Sequence, residues 1–335
     1  MHYTFQQWLM FFYVYCFIGW CFESTYVSIL KRRFVNRGFL HSPLLPIYGS
    51  GAVVMLVATL RLRDHIVWMY LAGMVGATAL ELVVGLSMEA IFKVKYWDYS
   101  NQKLNYKGVI CLSSSLCWGL FTVLLNKYLH KPVEAFVLGL PPVMVTVVVI
   151  VISAIFVSDA AVSIKVALGI RDMLDVSKRL RKELNEVQVQ LNERVNAMRI
   201  GMGEKKDSVG ERLGTLLDSI GDKLTEMAGA AGSKMDSLID ATYEKLGALV
   251  RLSDEKDEEV GAVSSLGEKL KSLKQEHESQ TEKMAYLKMK MLKRNPSATS
   301  RKFAKEFSVL RTEQIKRYEI RRKEKKENRK KRRKE

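Results

Sequence analysis

The chain has 335 residues, 48% of them apolar, and a formal charge of +17 at pH 7. Averages of that kind fit two ordinary soluble domains, but their distribution excludes them. Residues 1–157 hold 12 Lys and Arg against 6 Asp and Glu, residues 158–287 hold 20 against 24, and residues 288–335 hold 21 against 6. A nearly uncharged first half before a densely charged second half is the composition of a membrane anchor with a soluble extension.

A helix needs about 20 mostly apolar residues to cross about 30 Å of hydrocarbon. Five stretches supply them: residues 8–30, 44–60, 66–92, 108–125 and 135–157. The first has no basic segment before it and no small-residue cleavage site after it, so it reads as a retained span rather than a signal peptide. Lys31, Arg32, Arg33 and Arg37 follow the first span, and Lys93, Lys95, Lys103 and Lys107 follow the third. The alternate loops hold only Arg61 with Arg63 and Lys127 with Lys131. Cytoplasmic loops carry the excess of Lys and Arg, which predicts the N-terminus outside and the C-terminus in the cytoplasm of the cell membrane. That arrangement needs an odd number of spans. The expected fold class is therefore an all-α, multi-pass bundle of five spans over residues 1–157, with a long cytoplasmic helical extension.

Within the spans the charged residues are Glu23, Glu81 and Glu89. Ionised carboxylates in hydrocarbon are costly and normally face the bundle interior. Glu81, Gly85 and Glu89 follow one another at intervals of four and so share a helix face. Glu23, Glu81 and Glu89 are a candidate site for an ion, a proton or a polar substrate. Alternatively these acids lock the bundle by hydrogen bonding or by pairing with Arg33 or Arg37. Gly73, Gly76 and Ala77 thin the third span for close helix contact. Pro43, Pro46, Gly49 and Gly51 open the second span, and Pro141-Pro142 should kink or interrupt the fifth. Interrupted helices are where transporters often place their sites, although kinks that only adjust packing are commoner. Cys16, Cys21, Cys111 and Cys117 sit in apolar stretches without metal-ligand spacing and read as buried free thiols.

Beyond Ser158 the apolar residues become periodic. A juxtamembrane helix is expected over residues 158–179. From Leu180 to Val250 steps of four, three and four meet apolar residues almost throughout, an eleven-residue repeat close to a straight helix's own period. The stripe is narrow and diluted by glycines. It predicts one very long helix or a few coaxial ones: a homo-oligomeric coiled coil, an amphipathic helix on the membrane or a partner, or a partly disordered segment. A second amphipathic segment follows over residues 251–295 and ends at Asn295-Pro296-Ser297, leaving a basic tail over 296–335. The run from Arg321 to Lys334 is dense enough to attract anionic lipid or nucleic-acid phosphates, or to remain a solvated polyelectrolyte.

The motifs Gly19-Trp20-Cys21-Phe22-Glu23, Val35-Asn36-Arg37-Gly38-Phe39-Leu40-His41-Ser42-Pro43, Pro46-Ile47-Tyr48-Gly49 and Trp97-Asp98-Tyr99-Ser100 recur in order, with Asn105 and Gly108 after them. Over about residues 8–125 this resembles the bacterial type IV ABC-transporter family of permease-like membrane proteins. Ser42 stands where that family usually has glycine. The resemblance implies transport. Arg37, Trp97, Asp98, Tyr99 and Asn105 are then a candidate clasp at the cytoplasmic interface, with Asp98 positioned to pair with Arg37 across two loops.

No Walker A loop, H-E-x-x-H or G-x-S-x-G occurs. An ABC role would require a separate ATPase subunit, and neither an enzyme, a catalytic residue, a cofactor nor a metal is expected. The leading expectation is a permease-like membrane subunit whose coiled coil organises oligomers or recruits partners. A non-transporting membrane scaffold is the second, and a membrane-embedded enzyme using Glu23, Glu81 or Asp98 the third.

Overall fold

The computed structural model describes residues 3–62, 64–201, 208–229, 233–252, 258–282, 286–309 and 311–312. It is nearly all-α, at 80% helix. The chain divides into two compact units, residues 1–171 with 286–304, and residues 172–285 with 305–335. The Arg321–Lys334 run lies outside the described residues.

In the first unit, helix α1 spans Phe5–Lys31. The Thr4 hydroxyl accepts from the Gln7 amide while the Gln7 side chain accepts from the Thr4 amide, a reciprocal cap that satisfies two orphan donors. The helix stops at Arg32, whose left-handed backbone (φ 48°) turns the chain out. Helix α2 (Pro46–Ala58) begins on a proline at its first position, where a missing amide costs nothing. At 13 residues it is shorter than the second predicted span, because Pro43 and Pro46 keep residues 33–45 out of a helix. Helix α3 (Ile66–Phe92) coincides with the third predicted span and ends at Lys93, again left-handed.

A hairpin of two-residue strands, β1 (Asn105–Tyr106) and β2 (Ile110–Cys111), interrupts the helical pattern. Helix α4 (Leu112–Leu124) then runs through a π-helical turn, Leu125–Leu129, into α5 (His130–Leu138). The fifth predicted span is split. Gly139, Leu140 and Pro141 break it, and Pro142 opens the 60-residue helix α6 (Pro142–Gly201), which absorbs the expected juxtamembrane segment and passes from the first unit into the second.

Helix α2 packs between α1 and α3, α3 packs on α4, and α5 returns to α1. Phe11, Tyr15, Met55, Leu56, Ala77, Val137 and Val149 are among the core residues. Helices α3 and α4 come close because both contribute glycines: a Cβ at Gly73 would lie 2.1 Å from Thr122, and one at Gly119 2.6 Å from Tyr70. The outer faces are apolar. Val67, Trp68, Val75 and Val83 on α3 and Val143, Val147, Ile150 and Ile155 on α6 are all exposed. Among the described residues three helices, α1, α3 and α6, are long and apolar enough to cross a membrane. An exposed belt of Val and Ile would be penalised in water and is what lipid requires. This is a membrane protein.

The second unit folds on itself. Its core joins Leu180, Leu184, Val187, Leu191 and Val195 of α6 to Leu217, Ile220, Leu224 and Met227 of α7 (Ser208–Gly229). Leu238, Ile239, Leu246 and Leu249 of α8 (Ser233–Leu252) and Val263, Leu270 and Leu273 of α9 (Glu258–Glu282) complete it. The predicted single or coaxial helix over 180–250 is thus three helices in the described residues. Their stripes are buried against one another within the chain, as in a helix bundle. The predicted second amphipathic segment, 251–295, is also divided. Its final part, with α10 (Tyr286–Arg294), belongs to the first unit, as do residues 296–304 of the expected basic tail.

Candidate functional site

The ends of α1 and α3 and the starts of α2 and α4 meet at one end of the first unit, together with the loops 32–45 and 93–111. Between them lies a cavity of about 240 Å³ whose lining includes Glu23, Arg37, Tyr48, Glu81, Tyr96, Trp97, Tyr99, Trp118 and Asn295. Five of the eight residues singled out from sequence are among them: Glu23, Glu81, Arg37, Trp97 and Tyr99.

Glu23, on the last turns of α1, accepts a hydrogen bond from the Tyr48 hydroxyl at 2.7 Å and pairs with Arg37 Nε at 3.4 Å. Tyr48 can approach because residue 19 has no side chain; a Cβ there would stand 2.3 Å from Tyr48 Cβ. Arg37 is buried, and every part of it is engaged. Its amide donates to Ser24 Oγ at 3.1 Å, Nη1 to Asn295 Oδ1 at 3.0 Å, and Nη2 to the Tyr96 carbonyl at 3.1 Å and Ser297 Oγ at 3.2 Å.

Glu81, 4% exposed, lies midway along α3. Tyr99 donates to its Oε1 at 3.2 Å, while Trp118 Nε1 (2.9 Å) and Ser114 Oγ (3.4 Å) donate to Oε2. One turn further on, Gly85 gives the 93–111 loop its seat: a Cβ would fall 2.2 Å from Val109 and 3.1 Å from the Trp97 ring. Trp97 is held there by its own Nε1, which donates to the Val109 carbonyl at 2.9 Å. Burial, reinforced by the Glu81 charge, pushes the Tyr99 hydroxyl above its ordinary range, so it stays a donor.

The remaining three candidates serve the loop rather than the cavity. Glu89 stands at the rim, 4.0 Å from both Lys95 Nζ and Arg301 Nε. Asn105 accepts from the Gly108 amide at 3.0 Å and donates to the Gln102 carbonyl at 2.8 Å, shaping the hairpin turn. Asp98 does not pair with Arg37 as the sequence suggested. It accepts from Ser100 and, at 2.9 Å, from Thr299, with Lys95 Nζ 3.9 Å away. Burial alone would raise its pKa, but these hydrogen bonds and Lys95 outweigh burial and hold it below the usual carboxylate value. Glu23 takes Arg37, and the second loop is bonded instead by residues 294–300.

That segment is what sequence reasoning missed. Residues Lys95 and Thr299 form an antiparallel bridge, each amide donating to the other's carbonyl (2.8 and 2.9 Å). Ser300 donates to the Lys93 carbonyl at 2.6 Å, Asn295 Nδ2 to Gly38 at 3.1 Å, and Arg294 to Leu40 and Phe39 carbonyls. Phe303 is fully buried. The only signal in the sequence was the uncharged run Asn295–Ser300 amid dense basic residues. His41 was also missed: its Nδ1 and amide both meet Asp159 Oδ1, at 3.0 and 3.1 Å. Among the described residues no group of three or more His, Cys, Asp or Glu could hold a metal ion.

The family model described as Putative ABC-transporter type IV matches residues 10–164. The resemblance read from the motifs stands. The match reaches from α1 into the first third of α6, well past residue 125, and takes in every cavity residue named above except Asn295. No curated protein and no solved structure matched the chain.

Proposed function

We propose that the family-matched bundle is the permease-like membrane subunit of a transport system, working with an ATPase carried on a separate chain. One observation supports this above the others. A cavity holding two carboxylates, a guanidinium and six aromatic side chains sits among helices whose outer faces are apolar. Buried ionisable groups inside a bundle are expensive and are kept where something polar must pass. The proline-broken start of α2, whose Leu45, Pro46 and Ile47 line the cavity, is the irregular backbone that transporters place beside such sites. In this reading five segments cross the bilayer, α1, α2, α3, the α4–α5 stretch and α6, with the cavity end and the second unit in the cytoplasm. In this reading segment 291–303, whose Asn295 lines the cavity, lies at the cytoplasmic mouth.

A second reading has its own support. The helices of the second unit bury their apolar stripes within the chain, which makes that unit a ready-made module for partners or oligomers on a membrane anchor. Flux separates the two. Reconstituted with its co-purified membrane partners and ATP, the wild-type protein should move a solute that Glu81→Gln moves at least about tenfold more slowly. Equal flux in protein-free vesicles, over a panel of small cations, anions and neutral solutes, would leave the scaffold reading standing.

A further inference from the structure

We propose that the cavity binds a small quaternary ammonium cation, held over aromatic faces beside Glu81. This deepens the transport reading by naming its cargo and rests on that reading for the cavity's role as a passage, although binding can be measured without it.

The charge balance comes first. Glu23 is neutralised by Arg37 at 3.4 Å. Glu81 receives three hydrogen bonds, all from neutral groups, and among the described residues no Lys, Arg or His pairs with it. The cavity lining therefore holds two carboxylates against one guanidinium. Three donors converge on its two oxygens, yet hydrogen bonds from neutral groups supply no countercharge to an ionised carboxylate. An ionised group left unpaired in a low-dielectric interior is costly, and a monovalent cation in the adjacent space removes that cost.

The walls decide which cation. Trp97, Trp118, Tyr48 and Tyr99 line the space, and ring faces attract cations that have shed their water, with quaternary ammonium ions the best attested ligands of such boxes. Both Glu81 oxygens and both Glu23 oxygens already accept hydrogen bonds from the protein. A primary ammonium would have to share the lone pairs left on these oxygens with the protein's own donors; a methylated nitrogen has no donors to satisfy. A hard metal ion needs six or more oxygen ligands, which this lining does not offer. An anion meets net negative charge, and a neutral solute leaves that charge where it was. The volume of about 240 Å³ equals the share of roughly eight water molecules in the liquid, room for a cation of the size of choline. Asn295 forms part of the wall and binds Arg37, so the docked segment contributes to the site.

The test uses the full-length protein in detergent, titrated with choline and tetramethylammonium while the emission of Trp97 and Trp118 is followed. Saturable binding is expected. Methylammonium and 3,3-dimethylbutan-1-ol, the neutral isostere of choline, should each bind at least about tenfold more weakly. Glu81→Gln should weaken choline by a similar factor while melting at the wild-type temperature. Wild-type protein that shows no saturable choline binding, or that binds the neutral isostere equally well, overturns the proposal without relying on any variant. So does a folded Glu81→Gln protein with undiminished affinity. Choline binding without flux would sink the transport reading and leave the cation site intact.

Discussion

Gly85 shows how much of the site a single missing side chain decides. It lies between Glu81 and Glu89 on one face of α3, and that spacing was legible in the sequence. What spacing could not convey was that Glu81 points into a cavity while Glu89 reaches the rim, because the difference arises from the loop seated on Gly85. A Cβ at this position would come within 2.2 Å of the Val109 side chain and 3.1 Å of the Trp97 ring, so Val109 or the loop that carries it must shift. Gly85→Ala is therefore expected to destabilise the first unit by about 1–3 kcal/mol, the usual result of overpacking, visible as a lowered melting temperature in detergent. The shift should be accompanied by altered Trp97 emission, since the ring is held between Gly85 and the Val109 carbonyl. An unchanged melting temperature would mean that the loop does not rest where it is described. Arg37 teaches the complementary lesson. Two acids, Glu23 and Asp98, were within its reach by sequence. The choice between them is set by Asn295 and Ser297, some 260 positions away along the chain, and no local pattern encodes a contact of that range.

At the scale of elements, the long apolar helices were readable and the docked segment was not. Hydropathy finds α3 to the residue, because a lipid-facing helix needs apolar side chains on most of its surface. Segment 291–303 is held mainly by backbone carbonyls and hydroxyls, which any small polar run can meet, so its sequence carries no signature of its address. Its stability nonetheless has a readable dependence on pH. His41 is hydrogen bonded to Asp159 and Ser163 and faces Arg294 and Lys290 of the docked segment. Burial and the Arg294 charge hold its imidazole below the ordinary value of 6.5, outweighing the pull of Asp159. The docked state thus binds a proton less readily than the undocked one, which loses the arginine and gains water. Docking strength is then fully present above about pH 6.5 and is lost as the pH falls below it. Asp98, already held low, stays ionised across that window. Hydrogen-exchange protection of the Lys95 and Thr299 amides is expected to drop between pH 7.5 and 5.5 after correction for intrinsic rates, and His41→Asn should flatten the change. Protection independent of pH in the wild type would contradict this account of His41.

For the molecule as a whole, the division between a lipid-soluble and a charged half was legible from composition, and the folding of the second half was not. An eleven-residue apolar period is shared by a helix that pairs with another copy and by helices that fold back on themselves. The pattern cannot tell the two apart, because both bury the same stripe; the packing of α6, α7, α8 and α9 into one core decides it. The proposed membrane topology rests on a parity argument. Loops 32–45 and 93–111 lie at the cavity end, while Tyr3 reaches His130 and Glu134 near the opposite end of the bundle. Helix α6 starts beyond the break at Gly139–Pro141 and reaches the cavity end at Asp159, which accepts from His41. Five crossings would put residue 3 and the second unit on opposite sides of the bilayer, with the basic loops on the side of the second unit. In a background with Cys16, Cys21, Cys111 and Cys117 replaced by alanine, Gln6→Cys in intact cells should react with a membrane-impermeant maleimide, whereas Asp222→Cys should react only after lysis. Labelling of both positions from outside would require an even number of crossings. It would also place the cavity mouth and its docked segment outside the cell, where no ATPase could act on them.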